Sequence, residues 1–364
     1  MIKTKFAIIG GGLSGLYAAY LLEQAGIRDY LLFEARERLG GRVHTQDQID
    51  LGATWIWPEL NPELMHLIET LELPYFEQSN AGDLVFERQR DQSTLRISNT
   101  ALDTSAIRLV GGMENLIHSL SNRIATDRIR LGKRVTEIRY QEHQGVELTV
   151  MNQSGVEMHV SCEQILLAMP PRLAIDQMKF EPSLPASTMK QWMNTATWMA
   201  PHAKYAAIYP EAFWKAQGLS GQARSHAGPL GEVHDASTPD QHAALFGFLS
   251  LPYAVRKQMG EKALLAHCRA QLVRLFGSSA AQPQAEYLKD WSGDENTAIE
   301  MDWKSPALFH AMAPENTPNQ SIWQNRLLGI SSEWSKSYSG YLAGAIEAAK
   351  FGVDQLLHST SSVQ

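Results

Sequence analysis

The chain is poor in cysteine: only Cys162 and Cys268 occur in 364 residues. One possible pair is no disulfide framework, so a reducing compartment is the expectation. No apolar run is long enough to cross a bilayer. Positive charge is not in surplus. Thirty-two Lys and Arg stand against 39 Asp and Glu, a net −7, which argues against nucleic acid or an acidic membrane as a generic partner. The 12 histidines include no HExxH or comparable spacing, so no metal site is indicated. G-x-S-x-G is absent, as are internal repeats and long low-complexity segments. Lys3, Thr4 and Lys5 lead straight into an apolar run, which leaves no room for a signal peptide. The expectation is a soluble, cytoplasmic protein. Hydrophobic residues make up 44% and charged residues 20%, ample for a core, and the length suits about two domains of roughly 150 residues.

What is present begins at "FAIIGGGLSGLYAAYLLEQAGIRDYLLFEAR", Phe6 to Arg36. Phe6–Ile9 reads as a strand buried on both faces of a parallel sheet. Gly10, Gly12 and Gly15 follow as G-x-G-x-x-G: a tight turn, a close approach of backbone to pyrophosphate, and close packing of helix on strand. A helix from Leu13 to Ala25 aims its N-terminal amides, Leu13 and Ser14 among them, at phosphate. Gly26 ends it. A second strand, Tyr30 to Phe33, delivers Glu34. That acid lies 19 residues after Gly15 (34 minus 15), close to the spacing that suits ribose hydroxyls. Strand, turn, helix, strand and acid in this order indicate a bound dinucleotide, without choosing between NAD and FAD.

The next residues choose. In "EARERLGGRV", Glu34 to Val43, a second glycine pair and Arg42 follow the strand at once. Arg42 can reach back over the same pyrophosphate. With Glu34, Ala35, Arg36, Arg38, Gly40, Gly41 and Arg42 in place, the sequence resembles the flavin-containing amine oxidase family, whose members include monoamine oxidases, polyamine oxidases and flavin histone demethylases. "LGATWIWP" (Leu51–Pro58) resembles the family segment against the flavin ring and implicates Gly52, Ala53, Thr54 and Trp55. "RLVGGMENLI", "RLGKRVTEIRY" with Val135 near adenine, and "QILLAMPP" resemble later family segments. "LLGISSEWSKSYSGYLAGAIEAAKFG" resembles the C-terminal signature. There the resemblance implies cofactor contacts from Ser332, Glu333 (at the ribityl and phosphate region), Tyr341, Leu342 and Ala343. A buried strand from Leu327 to Ile330 and a helix beginning near Ser339 and Gly340 are expected, with Ile346, Ala349 and Val353 as one apolar stripe.

The same resemblance assigns chemistry. Lys204 stands ten residues before Trp214 (214 minus 204), as the family lysine does that holds a water against flavin N5. Alternation puts Lys204 on one strand face with Ala206 and Ile208. Tyr341 matches a cage tyrosine that orients the amine. Two departures stand out. In "DWSGDENTAIEMDW", which includes the cofactor-contact candidate Trp291, Glu300 and Met301 occupy the places of a flavin-linking cysteine and a second cage tyrosine. Non-covalent FAD and at most half an aromatic cage are therefore expected. Pro58–Leu109 is also short for the family's helical insert, which suggests a more open or partner-completed site. Arg224, Glu232 and His234 are candidate substrate contacts, an arginine being able to grip a carboxylate.

The expected fold is α/β: a Rossmann-like, discontinuous FAD-binding domain (1–57, 109–180, 290–364) with a small mixed β-sheet and helix substrate domain (58–108, 181–289). The expected function is FAD-dependent oxidation of a small-molecule amine at its α-carbon by hydride transfer to flavin N5, with dioxygen reduced to hydrogen peroxide. An amino-acid oxidase, a dehydrogenase with another acceptor, or a non-catalytic flavoprotein remain alternatives.

Overall fold

A computed structural model of the chain describes residues 1–98, 106–142, 145–239, 242–304, 310–319 and 321–361. Phe6–Ile9 is buried at every position because it lies in the middle of a five-stranded parallel sheet. The order is Ile129–Arg130, Tyr30–Phe33, Phe6–Ile9, Gln164–Leu167, Leu327–Gly329. Its alternate side chains serve two cores. Phe6 and Ile8 face a cluster built with Leu16, Ala19 and Leu22 of helix Leu13–Gln24 and Ile346, Ala349 and Val353 of the C-terminal helix. Ala7 and Ile9 face the other way, onto Val135, Ile138, Leu148, Val150 and Val160. All five belong to a second five-stranded sheet, which includes the long strand Lys133–Gln141. Of that sheet only the strand within "RLGKRVTEIRY" was foreseen. Its other strands are patterned like ordinary hairpins and carry no motif of their own.

The third large sheet is mixed and has seven strands, in the order Ala285–Asp290, Ala203–Tyr209, Ala243–Leu249, Leu230–Asp235, Leu219–Ser225, Asp83–Glu87, Leu95–Ile97. Only the pair Leu219–Ser225 and Asp83–Glu87 is parallel. All seven residues of Ala203–Tyr209 are buried, since both faces are covered. Tyr205, Ala207 and Tyr209 pack with helix Glu261–Phe276 through Leu264, Cys268 and Leu272. Lys204, Ala206 and Ile208 share the opposite face, as alternation requires. There Ala206 and Ile208 meet Ile49, Leu51 and Phe246. The segment that precedes "GATW" is thereby pressed onto the lysine strand.

Other boundaries move slightly. The C-terminal helix begins at Leu342 instead of Ser339 or Gly340, because Gly340 has φ +82 and makes the turn before it. The first helix ends at Gln24, followed by Gly26 at φ +76. Both cysteines are buried and unpaired, in separate clusters.

Gly329 tests the packing of the parallel sheet. A Cβ there would lie 2.0 Å from the buried Trp334 ring, an overpacking that costs about 1–3 kcal/mol or more. A Cβ at Gly26 meets nothing within 4 Å, leaving only the left-handed backbone cost of about 1–2 kcal/mol. Denaturant unfolding is expected to show Gly329→Ala losing clearly more stability than Gly26→Ala. The reverse ranking would refute this packing.

Candidate active site

Two glycine clusters lie against each other to make the floor of a cleft. Gly40 N–H donates to Gly11 O at 2.8 Å, and a Cβ on Gly41 would lie 3.2 Å from Gly12 Cα. Gly12 is the extended N-cap of helix Leu13–Gln24 and carries no capping side chain, so the helix amides are left for a ligand. A Cβ on Gly15 would fall 1.9 Å from Gly10 O, which is why only glycine allows this helix to sit so close to the turn. Gly10, Gly12, Leu13, Ser14, Glu34, Ala35, Arg36, Gly41, Arg42 and Val135 all line this cleft. Gly52, Ala53, Trp291, Ser332, Tyr341 and Leu342 line it too. The buried Glu34 carboxylate accepts from Gly11 N–H at 2.7 Å and from Arg36 N–H at 2.8 Å. Free helix amides, a side-chain-free floor and a carboxylate at the strand end together fit a dinucleotide.

Arg42 and Glu333 are engaged with each other: Arg42 lines the cleft, and Glu333 stands behind it without lining it. The two grip each other, at 2.6 and 2.9 Å, with Ser331 and Ser332 hydroxyls also donating to the carboxylate. Glu333 is fully buried, and a carboxylate there needs a counter-charge. Burial alone would raise its carboxyl; Arg42 and the serines outweigh that and hold it below the usual range. Arg42 also donates to Trp198 O at 3.2 Å. At the cleft's other end Arg36 donates to Asp294 at 2.5 Å and to Thr297 at 2.9 Å.

Lys204 is completely buried. Its Nζ donates to Asp50 O at 2.7 Å, Gly52 O at 3.1 Å and Thr54 Oγ1 at 2.5 Å. The Phe246 ring centroid is 4.0 Å away. Burial pushes the amine down to about 7, with Asp50 opposing and Arg108 adding to the shift. Lys204 lines neither cavity. With three protons on three protein acceptors, it has none to spare for a water in this arrangement. It lies behind the wall made by Gly52, Ala53 and Thr54.

On the far side of that wall is a second cavity, of about 470 Å³. Its surface is mostly apolar and carries five aromatic rings, Trp55, Trp57, Trp198, Phe248 and Tyr341. Trp57 meets Tyr341 edge-on at 6.5 Å. The turn before the lysine strand delivers Trp198, Met199 and His202, with Met199 held at φ +70. His202 is kept below its ordinary pKa by burial and by Arg256. Arg224 and Glu232 line the cavity as a direct cross-strand ion pair. His234 lies behind Trp55, edge-on at 4.8 Å. Burial, Arg224 and Lys204 push its pKa down to about 3.

Met301 is not part of this cavity. Asp302 points inward to Arg172 at 2.6 Å, which turns the neighbouring Met301 outward, 39% exposed. The ring stacked on Tyr341 is His310, at 4.3 Å, itself 3.9 Å from Trp198. Trp57, Trp198, His202, Phe248 and His310 were missed by sequence reasoning. Trp57 shared a segment with Trp55, and Trp198 and His202 immediately precede Lys204, so closeness to those candidates was the available signal. His310 had none.

With the geometry in view, the chain was compared with known proteins. The model of the family "Flavin containing amine oxidoreductase" matches residues 13–94 and 75–357. A probable flavin-containing monoamine oxidase A of Dictyostelium discoideum is 27% identical over 266 residues, 69% of this chain and 54% of that protein. The flavin-containing amine oxidase B of Sus scrofa is 21% identical over 469 residues, 99% of this chain and 87% of that protein. The chain thus spans about half of the first relative and most of the second. A solved putrescine oxidase bound to putrescine has a TM-score of 0.79 at 18% identity, covering 98% of this chain and 99% of that one. The cyclohexylamine oxidase of Brevibacterium oxydans gives 0.77 at 19%, with the same coverage. At these identities the likeness is one of fold.

The Arg42–Glu333 pair yields a pH-dependent prediction. Glu333→Gln takes the charged partner from Arg42, whose side chain is 24% exposed, so the cost is about 1–3 kcal/mol, below the about 3–5 kcal/mol of a fully buried pair. Because the folded carboxyl is held below its ordinary value of 4.5, the contribution is complete above that value and declines as pH falls through the folded value. Unfolding measured from pH 7 down to 4 is expected to show a large parental advantage that narrows below about pH 4.5. A difference under about 1 kcal/mol at pH 7 would contradict the pairing.

Proposed function

The chain belongs to the flavin-containing amine oxidoreductase family, and we propose that it is an FAD-dependent amine oxidase that oxidises an amine at its α-carbon. One observation carries this reading: the dinucleotide cleft and the aromatic cavity share a wall. Gly52, Ala53, Met199, Gly340, Tyr341 and Leu342 line both. A cofactor running the length of the first would present its far end to a molecule in the second. The proposed parts are residues 1–57, 109–180 and 290–364 for the cofactor, and 58–108 and 181–289 for the substrate.

FAD supplies a two-electron acceptor for hydride from the α-carbon, with the electrons passed on to dioxygen as hydrogen peroxide. The protein supplies binding and orientation. Loss of water in the cavity disfavours an ammonium and so favours the neutral amine that can be oxidised. Tyr341, 43% exposed and braced by Trp57 and His310, offers its ring face to the N–H bonds of that amine. Lys204 ties down Gly52 and Thr54, fixing the shared wall; a water reaches Nζ only by replacing one of its three partners. The product imine takes up water and gives an aldehyde and an amine or ammonia.

The Arg224–Glu232 pair supports an amine over an α-amino acid. The guanidinium that would hold a substrate carboxylate already holds Glu232, and freeing it would leave that acid unpaired beside another. Non-covalent binding is supported by the cysteines, since neither Cys162 nor Cys268 lines the cleft.

Anaerobic titration with amines bearing apolar tails is expected to bleach the flavin band near ~450 nm. Readmitted air should restore it with release of peroxide. Alanine and phenylalanine should leave the band unchanged. Bleaching by amino acids alone would favour the second reading, and return of the band without peroxide would indicate another acceptor. Acid precipitation is expected to leave the yellow colour in the supernatant; colour in the pellet would show a covalent link.

A further inference from the structure

We infer that Asp50 is a positioning residue of this site, its carboxylate supplying the counter-charge that keeps Lys204 an ammonium beneath the shared wall. The inference rests on the reading of that wall as the meeting place of cofactor and substrate.

All three hydrogen-bond acceptors of Lys204 are neutral: two carbonyls and a hydroxyl. They suit an ammonium, which has three protons to give. A neutral amine has two, and would leave one acceptor unfilled unless Thr54 reversed its hydroxyl. A fully buried ammonium is not stable on neutral acceptors alone; it needs a charge of opposite sign. The residue whose carbonyl is held at 2.7 Å carries one.

The Asp50 carboxylate is itself buried. Oδ1 accepts from Thr45 Oγ1 at 2.6 Å and from Met113 N–H at 2.8 Å, at the start of helix Glu114–Ser121. Oδ2 has no hydrogen-bond partner among the described residues. Burial pushes this carboxyl up from its ordinary value, while Thr45, the Met113 amide, Arg108 and Lys204 pull it back toward the charged form, and the unpartnered oxygen has only those cations to offset its charge. This also accounts for the second glycine of "VGGM". A Cβ on Gly112 would lie 3.1 Å from Asp50 Oδ1 and 2.3 Å from Thr45 Cγ2, so a side chain there would disturb the carboxylate.

The surrounding charges sharpen the need. From strand Ile107–Leu109, Arg108 is buried, donates to Ala236 O and Ser237 O, and leaves Nε unpartnered. Its charge opposes that of Lys204. From the substrate sheet, His234 is held neutral, and Asp235 acts on Arg108. Phe246 and Phe248 present ring faces to Nζ. Glu114, on the helix, is engaged by His44. Asp50 is the carboxylate that acts on both cations. Without it two buried positive charges would face each other.

The test uses Asp50→Asn, which keeps an acceptor for Thr45 and Met113 but removes the charge. The visible spectrum of the flavin-loaded protein, without substrate, is recorded against pH. The parent is expected to show a transition near about pH 7, the value to which Lys204 is pushed. Losing the carboxylate removes the attraction that favours the charged amine, so the midpoint should fall by a unit or more. Lys204→Met should abolish the transition, and adding Asp50→Asn to it should change nothing further. A parental midpoint in Asp50→Asn, or an equal spectral change with and without Lys204, would overturn the assignment. If Asp50→Asn folds poorly, thermal unfolding decides: the double variant, with neither charge, should be more stable than Asp50→Asn alone, and a less stable double variant would overturn it. Spectra of the loaded protein and unfolding need no turnover, so failure of the amine-oxidase reading would appear separately, as an absence of substrate bleaching.

Discussion

One buried lysine constrains the rest of the structure. Lys204 is the point where the mixed sheet, the segment Asp50–Thr54 and, through Asp50, the start of helix Glu114–Ser121 are held together. Each connection is short and directional, and each is made in an interior where an unsatisfied donor is costly. The consequence is a thin wall, Gly52 and Ala53, held from behind by a lysine that touches neither cavity. That wall lets a cleft built for a dinucleotide and a cavity built of aromatic rings open onto the same few atoms.

The second organising feature is the Arg42–Glu333 pair. It joins the glycine-rich turn after the second strand to the loop before the C-terminal helix, and Arg42 also reaches the carbonyl of Trp198. Residues far apart in sequence are thereby fixed around one end of the cleft. The aromatic-lined cavity inherits its shape from this. Trp198 and Met199 lie on the turn that Arg42 holds, and Tyr341 follows the loop that carries Glu333. Positioning and recognition are done by the same charged network, while the surfaces offered to ligands are glycine backbone on one side and aromatic faces on the other.

Much of this was legible in the sequence, for physical reasons that can be named. Gly10, Gly12, Gly15 and Glu34 sit at spacings that strand, turn and helix geometry dictate, so both the nucleotide cleft and its lining could be read directly. Lys204 was legible as buried because its strand alternates. What it binds was not, since its partners, two backbone oxygens and the Thr54 hydroxyl, lie some 150 residues earlier and are brought to it only by the tertiary fold. Met301 was misplaced because counting from Trp291 assumes that no helix intervenes. Met301 falls in the helix Glu300–Lys304, on which the inward Asp302 binds Arg172 and leaves Met301 facing out. His310 lies against Tyr341 only through tertiary packing. The pairing of Arg42 with Glu333 was hidden for another reason: each had a plausible ligand, and only the burial of Glu333 shows that they satisfy each other.

The central claim is that Lys204 works from behind the wall rather than from within the cavity. The most direct measurement is a crystal structure of the flavin-loaded protein at neutral pH, with Nζ and its neighbours refined without restraint on their contacts. The account predicts Nζ within hydrogen-bond distance of Asp50 O, Gly52 O and Thr54 Oγ1, and Ala53 standing between it and the substrate cavity. A side chain swung out of that pocket, with its amine exposed in the substrate cavity and the three acceptors served by other donors, would contradict it.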